Sequence, residues 1–329
     1  MVKRRAKRYS RGVALLATML SIALMTLLVI DFTNSSALGY RSAANQANEL
    51  RAYFFSKSAV EVGLAMLERS AMTDSVQSGG GTKASTGHDS LDQIWARPTP
   101  PIPLDGGFVT QQIVDDDRKV NINLFYNPQS RSVDPIWGQV IERLLANIGV
   151  SMDLLPILQD WLDPDSIETA GGAESDYYLK LLPPYEPRNG QMPTIYDLRL
   201  LKGVDDVTFF KLMQVFTAAP TQKVNINTAS PEVLAALSPQ LENDPNLVKT
   251  ILAARMVAPF TDTGKLQEMV PDLTDYQKLQ SLLTVTSTYF TITGEGDFAG
   301  ARKRIYSTFK RISMQPRGAG FILASWHED

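Results

Sequence analysis

Between Asp160 and Asp176 the chain concentrates oxygen donors: Asp160-Trp161-Leu162-Asp163-Pro164-Asp165, then Glu168, Gly171-Gly172, Glu174 and Asp176. Carboxylates at this density suit a hard cation, and calcium takes about six to eight oxygens at flexible geometry. With Asp163 as the first position, Asp165 falls third and Glu174 twelfth, which echoes the ligand spacing of an EF-hand loop. The match breaks at the fifth position, Ile167, and at the sixth, where Glu168 stands in place of the turn-forming Gly. Two readings remain: an irregular calcium loop, or a solvated acidic turn in which Asp caps a helix. The pair Asp163 and Asp165 has the chemistry for acid–base work, but the rest of the chain supplies no nucleophile or base to go with it. Cys is absent, the only His are His88 and His327, and no Gly-x-Ser-x-Gly elbow, Walker loop or His-Glu-x-x-His occurs. The chain reads as a non-enzyme.

The elements flanking this loop carry an internal echo. Lys119-Val120-Asn121-Ile122-Asn123 recurs as Lys223-Val224-Asn225-Ile226-Asn227. Each copy reads as a short apolar strand, then a polar residue, then helical sequence: Ile136 to Ile148 after the first, Pro231 to Leu237 after the second. In the second, Thr228 or Ser230 can cap, Pro231 suits the first helical position and Glu232 favours the positive end of the dipole. Both copies are expected to open related helical units, with chance recurrence of a short motif as the alternative. The run Asn225 to Leu234 also resembles the opening of helix-hairpin-helix modules that grip DNA phosphates. Ser238-Pro239-Gln240-Leu241 stands where the Gly-containing hairpin belongs, and Glu242-Asn243-Asp244 comes next. That favours packing or partner contact over nucleic acid.

At the N-terminus six basic residues (Lys3, Arg4, Arg5, Lys7, Arg8, Arg11) precede Gly12 and an uncharged apolar run from Val13 to Ile30. The run is long enough to cross a bilayer as a helix, at about 20 residues per crossing. Its basic flank stays cytoplasmic, so the chain after Asp31 is expected on the far side of the membrane. Three readings compete. A secretory signal cut near Ser35-Ser36-Ala37 would have a shorter apolar region; a plain signal anchor would not be processed; a prepilin-type leader would be cut between Gly12 and Val13, leaving the apolar helix in place. Residues 31 to 69 continue the helix without Pro, with apolar or small residues at Ala43, Ala47, Leu50, Phe54, Val60, Leu64 and Leu67.

The 329 residues carry 32 basic and 35 acidic groups. Without residues 1–12 the balance is 26 to 35, a net of −9, which disfavours nucleic acid or anionic lipid as a partner. Zero Cys means no disulfides. Ser75 to Ser90 reads as a loop, Phe108 to Asp115 as a strand, and the C-terminal part as an antiparallel meander: Thr284 to Thr293, a turn at Gly294-Glu295-Gly296, then Ala301 to Ile312 and Phe321 to Trp326. Arg302-Lys303-Arg304 reads as a solvated strand face.

Together these features resemble the K-class minor pseudopilins of the type II secretion system, general secretion pathway protein K. The residues that carry the likeness are Gly12-Val13-Ala14-Leu15-Leu16, Asp160-Trp161-Leu162-Asp163, Gly172-Ala173-Glu174 with Tyr177-Tyr178, Pro187-Arg188-Asn189-Gly190 and Val224-Asn225-Ile226-Asn227-Thr228-Ala229. Most pseudopilins have Glu at the fifth position after the cut; here it is Ala17, which implies a subunit with no neighbour above it. The resemblance implies an α+β, pilin-like fold: a leader at 1–12, a transmembrane and pilin helix at 13–70, a linker and first strands at 71–118, an inserted helical domain with two related units at 119–275, and antiparallel strands at 276–329. It implies a tip position in the periplasmic pseudopilus. The partners would be the I-class, J-class and H-class minor pseudopilins, the prepilin peptidase and secreted exoproteins. It also implies structural calcium, with Asp163, Asp165 and Glu174 as leading ligands and Asp160, Glu168 and Asp176 behind them. A membrane-anchored DNA receptor with helix-hairpin-helix modules is the alternative.

Overall fold

The computed structural model describes residues 9–77, 87–270, 272–314 and 318–329. Helix α1 spans Tyr9–Gln77, 69 residues, about 100 Å at about 1.5 Å per residue. It begins inside the expected leader, runs past 70 and contains Gly12, Gly39 and Gly63. An isolated Gly weakens a helix by only about 1 kcal/mol relative to Ala, so a Pro-free sequence continues through it. Residues 1–8 of the leader and 78–86 of the expected loop lie outside the described residues; Ser75 to Gln77 are helical. In the apolar half, the hydroxyls of Thr18, Thr26 and Thr33 donate to the carbonyls of Leu15, Ile22 and Val29 at 2.7–2.8 Å, so these hydroxyls need no water.

Two strands come next in the chain, β1 (Ile102–Leu104) and β2 (Gly107–Asp115). The chain then enters a first helical unit: β3 (Val120–Asn121), the hairpin β4 (Tyr126–Asn127) and β5 (Ser132–Val133), then α2 (Trp137–Asn147), α3 (Leu154–Leu162), α4 (Ser175–Tyr178) and α5 (Asp206–Val215), and the return strand β6 (Phe216–Thr217). A second unit opens with β7 (Val224–Asn225), continues through α6 (Pro231–Ala236), α7 (Pro239–Asn243), α8 (Pro245–Val257) and α9 (Leu273–Leu282), and closes with β8 (Leu283–Thr284). Strands β9 (Tyr289–Phe298), β10 (Ala301–Met314) and β11 (Gly318–Glu328) complete the chain. The main sheet is antiparallel in the order β1-β2-β9-β10-β11. In each helical unit the entering strand pairs in parallel with the leaving one, β3 with β6 and β7 with β8.

The echo has a bonding explanation. The Asn121 side chain accepts from the Asn123 N–H, and Asn123 exchanges two hydrogen bonds with the Met192 backbone. In the second copy Asn225 accepts from Asn227 N–H, and Asn227 exchanges two hydrogen bonds with the Phe260 backbone. Each Asn pair turns the chain out of a strand and ties it to a distant loop.

The expected turn at Gly294-Glu295-Gly296 lies instead inside β9, and the hairpin is made by Ala299-Gly300, both at positive φ, with Phe298 opposite Ala301. The glycines are there because α1 lies against the sheet. A Cβ on Gly294 would meet the Ser56 carbonyl at 2.4 Å, and one on Gly296 the Ala52 carbonyl at 2.1 Å. The expected strand from Thr284 is also divided. Residues 283–284 pair with β7, and the chain is pulled aside at Ser287 and Thr288 before β9 begins. Arg302 and Arg304 project from β10 and pair with Glu295 and Asp297 on β9.

Two apolar cores result. One, with Val60, Leu67, Trp95, Ile113, Phe290, Ile292, Ile305 and Phe309, lies between α1 and the sheet. The other runs through both helical units from Val120 to Leu283. Along β9, Gly296 faces Ala52, Gly294 faces Ser56 and Ile292 faces Gly63. Tyr289, where the chain leaves the helical units, is therefore nearest the C-terminal end of α1, and those units sit at the end of the sheet remote from the apolar segment.

Three consecutive aspartates join the cores. Asp115 accepts from Thr228 Oγ1 at 2.6 Å and Ser287 Oγ at 2.8 Å. Asp116 accepts from Thr217 and Thr291 hydroxyls at 2.9 and 2.7 Å. Asp117 accepts from the backbone N–H groups of Thr288 and Tyr289 at 2.8 and 3.0 Å. Beside them Asp89 holds Arg311 by a two-pronged ion pair at 2.6 and 2.7 Å and accepts from Ser287 N–H. All four carboxylates are buried.

Burial raises Asp115 to about 6 and Asp117 to about 7, against about 3.9 in an unfolded chain. The folded state then binds more protons than the unfolded one, so this contribution is complete below about pH 4 and is lost as pH rises through 6 to 7. The urea unfolding midpoint of the sheet is expected to fall between pH 5 and pH 8 for this reason. Asp117→Asn should flatten that limb, whereas Asp117→Ala should lower stability at every pH by about 1–3 kcal/mol through the two orphaned N–H groups.

Candidate functional site

Helix α3 ends in the acidic loop, and Asp160 on its buried face organises the loop backbone from Thr169 to Ala173. This carboxylate accepts from Thr169 N–H at 3.1 and 3.2 Å and from Ala173 N–H at 2.8 Å. Gly172 passes so close that a Cβ would stand 1.9 Å from Asp160 Oδ2, so only glycine fits. Asp163 terminates α3, its N–H donating to the Gln159 carbonyl, and Glu174 immediately precedes α4. Their side chains are 5% and 3% exposed as residues, yet Asp163 Oδ1 and both Glu174 oxygens are buried without a hydrogen-bond partner. Burial, then the charges of Asp165 and Asp160, raises Asp163 to about 6; burial, then Asp160 and Asp163, raises Glu174 to about 7.

Buried carboxylate oxygens without donors are costly unless a positive charge meets them. That is what a hard-cation site presents when only its protein ligands are considered, and the donor set of Asp163 and Glu174 fits calcium. The other expected ligands are placed differently. Asp165 is exposed and accepts from Ile167 N–H at 2.9 Å, while Glu168 and Asp176 are exposed. Among the described residues no three Asp, Glu or His side chains form a ready-made metal set. An EF-hand geometry is therefore absent from this loop: Asp165 caps its own turn, Asp160 is spent on backbone, and Asp163 and Glu174 remain. Sequence spacing missed Asn189, whose Oδ1 is also buried without a partner. Its signal was the turn-forming Asn189-Gly190 pair.

The N-terminal site has a different character. Gly12 and Val13 lie on the exposed early part of α1, and nothing approaches within 4 Å of a Cβ placed on Gly12. An 18-residue window of this helix reaches a mean hydropathy of 2.6 with none of it buried. Exposure continues along one face beyond that segment, at Leu50 and Phe54. The helix-hairpin-helix-like run is turned inward: Asn225, Asn227 and Thr228 are buried, Ser238 caps α7, and Arg255 donates to the carbonyls of Ile226 and Ala229. A crevice of about 340 Å³ separates the first helical unit from the open sheet face. Its charged members, Asp116 and Lys119, are already bonded to Thr217, Thr291 and the Met213 carbonyl.

Family models described as type II secretion system protein K match residues 118–221 and 224–286, the two helical units. The chain is 30% identical over 312 residues to type II secretion system protein K of Pseudomonas aeruginosa PAO1, covering 93% of this chain and 90% of that protein. It belongs to the type II secretion system protein K family. The protein of the same description from Klebsiella pneumoniae is 28% identical over 323 residues, with 94% of each chain covered. A chain in the crystal structure of the GspK-GspI-GspJ complex from enterotoxigenic Escherichia coli matches with a TM-score of 0.67 at 20% identity, covering 88% of this chain and 99% of that one. The chain is thus a minor pseudopilin of type II secretion, with a pilin-like α+β fold and helical units inserted in the sheet portion.

Replacing Asp160 tests the loop's organisation. In EGTA, Asp160→Ala is expected to lower unfolding stability of the full chain by about 2–4 kcal/mol, because the N–H groups of Thr169 and Ala173 lose their acceptor. Asp160→Asn, which keeps an acceptor oxygen, should cost less than half as much in the same urea titration.

Proposed function

We propose that this chain is the tip subunit of the pseudopilus, inserted once in the inner membrane with its sheet and helical units in the periplasm. The position of the helical units carries this reading: they cap the end of the sheet remote from the membrane segment, where they would obstruct a further subunit. Ala17 supports it, because a first subunit has no neighbour whose amino group needs a buried carboxylate. The exposed face of α1, with Leu50 and Phe54, remains for subunits below. The complex of GspK with GspI and GspJ among solved relatives supports I-class and J-class minor pseudopilins as those neighbours, with the H-class subunit beneath. Assembly would start from this chain, and growth below it would move folded exoproteins toward the outer membrane. The chain acts by assembly and not by catalysis.

Processing belongs to the same reading. The prepilin peptidase would cut between Gly12 and Val13 and leave Val13 as a methylated terminus. Calcium would be structural, held by Asp163 and Glu174, and would neutralise the buried charge of the acidic loop.

Intact mass and N-terminal sequence of the full chain from membranes should show a methylated start at Val13 only when the peptidase is present. An intact leader in its presence, or a cut beyond Ala37, would end the filament reading. Photo-crosslinkers at Leu50 and Phe54 should capture I-class or J-class subunits; capture of a pseudopilin from Met256, an exposed residue of the helical units, would contradict the tip position. Calcium should raise the thermal unfolding midpoint relative to EGTA, and equal midpoints would remove the calcium reading.

A further inference from the structure

We propose that the crevice between the first helical unit and the open face of the sheet is a binding slot for a neutral saccharide ring, held between an apolar wall and a floor of hydroxyls and aromatic rings. This stands on the crevice alone, independent of the tip position and of calcium.

Strand register sets the floor. Thr293, Tyr306 and His327 are cross-strand partners on β9, β10 and β11, and Thr291, Thr308 and Ser325 form the next such row. Residues two apart share one face of a strand, and all six line the crevice. The rings of Tyr196, Tyr306 and His327 meet there, with centroids 5.1–6.3 Å apart. Thr291 donates to Asp116 at 2.7 Å and so accepts from Thr308 at 2.9 Å, which leaves the Thr308 oxygen free to accept in turn. The hydroxyls of Tyr196, Thr293 and Ser325 and the ring nitrogens of His327 make no hydrogen bond among the described residues. The facing wall is Pro193, Ile195, Met213, Phe216, Ala218 and Pro220.

The volume of about 340 Å³ falls within the range of about 300–1,000 Å³ that small-molecule sites occupy. Asp116 is engaged by Thr217 and Thr291, and Lys119 by the Met213 carbonyl, so an ionic ligand finds no counter-charge. An acyl chain would strip water from the floor hydroxyls without replacing its hydrogen bonds, which is costly. An extended peptide binds a sheet through a row of backbone N–H and C=O groups, and the sheet face offers side chains instead. A pyranose ring suits both walls. Its hydroxyls donate and accept, as those of Thr, Ser and Tyr do, and its weakly positive C–H faces pack on the negative faces of aromatic rings.

The sequence has two histidines, and of these His327 lines the crevice and His88 does not. The full chain, with isotope-labelled histidine rings and in a sugar-free amine-oxide detergent, is titrated with maltotriose and separately with chitotriose. One or both sugars are expected to shift the His327 ring signals and leave those of His88 in place; which sugar binds tells a glucan from an amino-sugar glycan. Thr293→Val combined with Ser325→Ala removes two hydroxyls that hold no other part of the chain. Binding should weaken about tenfold through the two lost hydrogen bonds, with an unchanged urea midpoint. Should that variant not fold, Ser325→Ala alone, at an exposed position, should weaken binding about threefold. His327 signals unmoved by both sugars, equal movement of His88, or undiminished binding by the variants would overturn the proposal. A shift of His327 with added detergent or with triproline, but with neither sugar, would assign the slot to an acyl chain or a peptide and overturn it as well.

Discussion

The attachment of the helical units to the sheet depends on one run of buried carboxylates, Asp115-Asp116-Asp117, at the end of β2. Each accepts hydrogen bonds from a different return point of the chain: Asp115 from Thr228 and Ser287, Asp116 from Thr217 and Thr291, Asp117 from the backbone at Thr288 and Tyr289. The strand leaving the sheet and the strand re-entering it are thus held side by side although about 170 residues separate them. That closure works together with the packing of Tyr196 against Tyr306 and His327 to fix the units against the sheet. Carboxylates suit the task because each can accept several bonds from hydroxyl or N–H donors. Their burial is offset by those bonds and by the Asp89–Arg311 pair beside them.

The acidic loop uses the same residue type with a different outcome. Asp160 is satisfied by backbone N–H groups, as Asp117 is, and it shapes the loop in the same way. Asp163 Oδ1 and both Glu174 oxygens are buried without a hydrogen-bond partner, and the charges of Asp160 and Asp163 act on Glu174. The difference lies in neighbours: threonines, a serine and free strand N–H groups surround the junction, whereas Trp161, Tyr178 and further carboxylates surround the loop. One cluster closes on itself, and the other leaves buried carboxylate oxygens without a donor.

Close approach of α1 to the sheet is the third constraint. Gly294 and Gly296 let the helix backbone lie directly on β9, which leaves the opposite face of α1 uncovered along Leu50 and Phe54. A helix buried on one face and apolar on another is suited to packing among similar helices. Family membership makes that packing the business of a pseudopilus.

Much of this was legible in the residues alone. Val13 to Ile30 marked the membrane-spanning candidate in α1, since length and lack of charge are local properties. The repeated Val-Asn-Ile-Asn marked the entrances of both helical units, and β2 showed strict alternation of buried and outer residues. Spacing singled out Asp163 and Glu174, whose oxygens lie buried without a full set of donors, because sequence shows where carboxylates are dense. It did not show that Asp160 would be consumed by Thr169 and Ala173, that Asp165 would face water, or that Asn189 would reach the loop from a later segment. It also placed a turn at Gly294 and Gly296, since Gly in a lone strand reads as a break; the helix that requires those glycines lies more than 230 residues away in sequence. Local propensity and hydropathy therefore determined the elements. Which donors meet which buried oxygens was decided only when distant segments packed together, because satisfying a buried polar atom is a property of its neighbours in space.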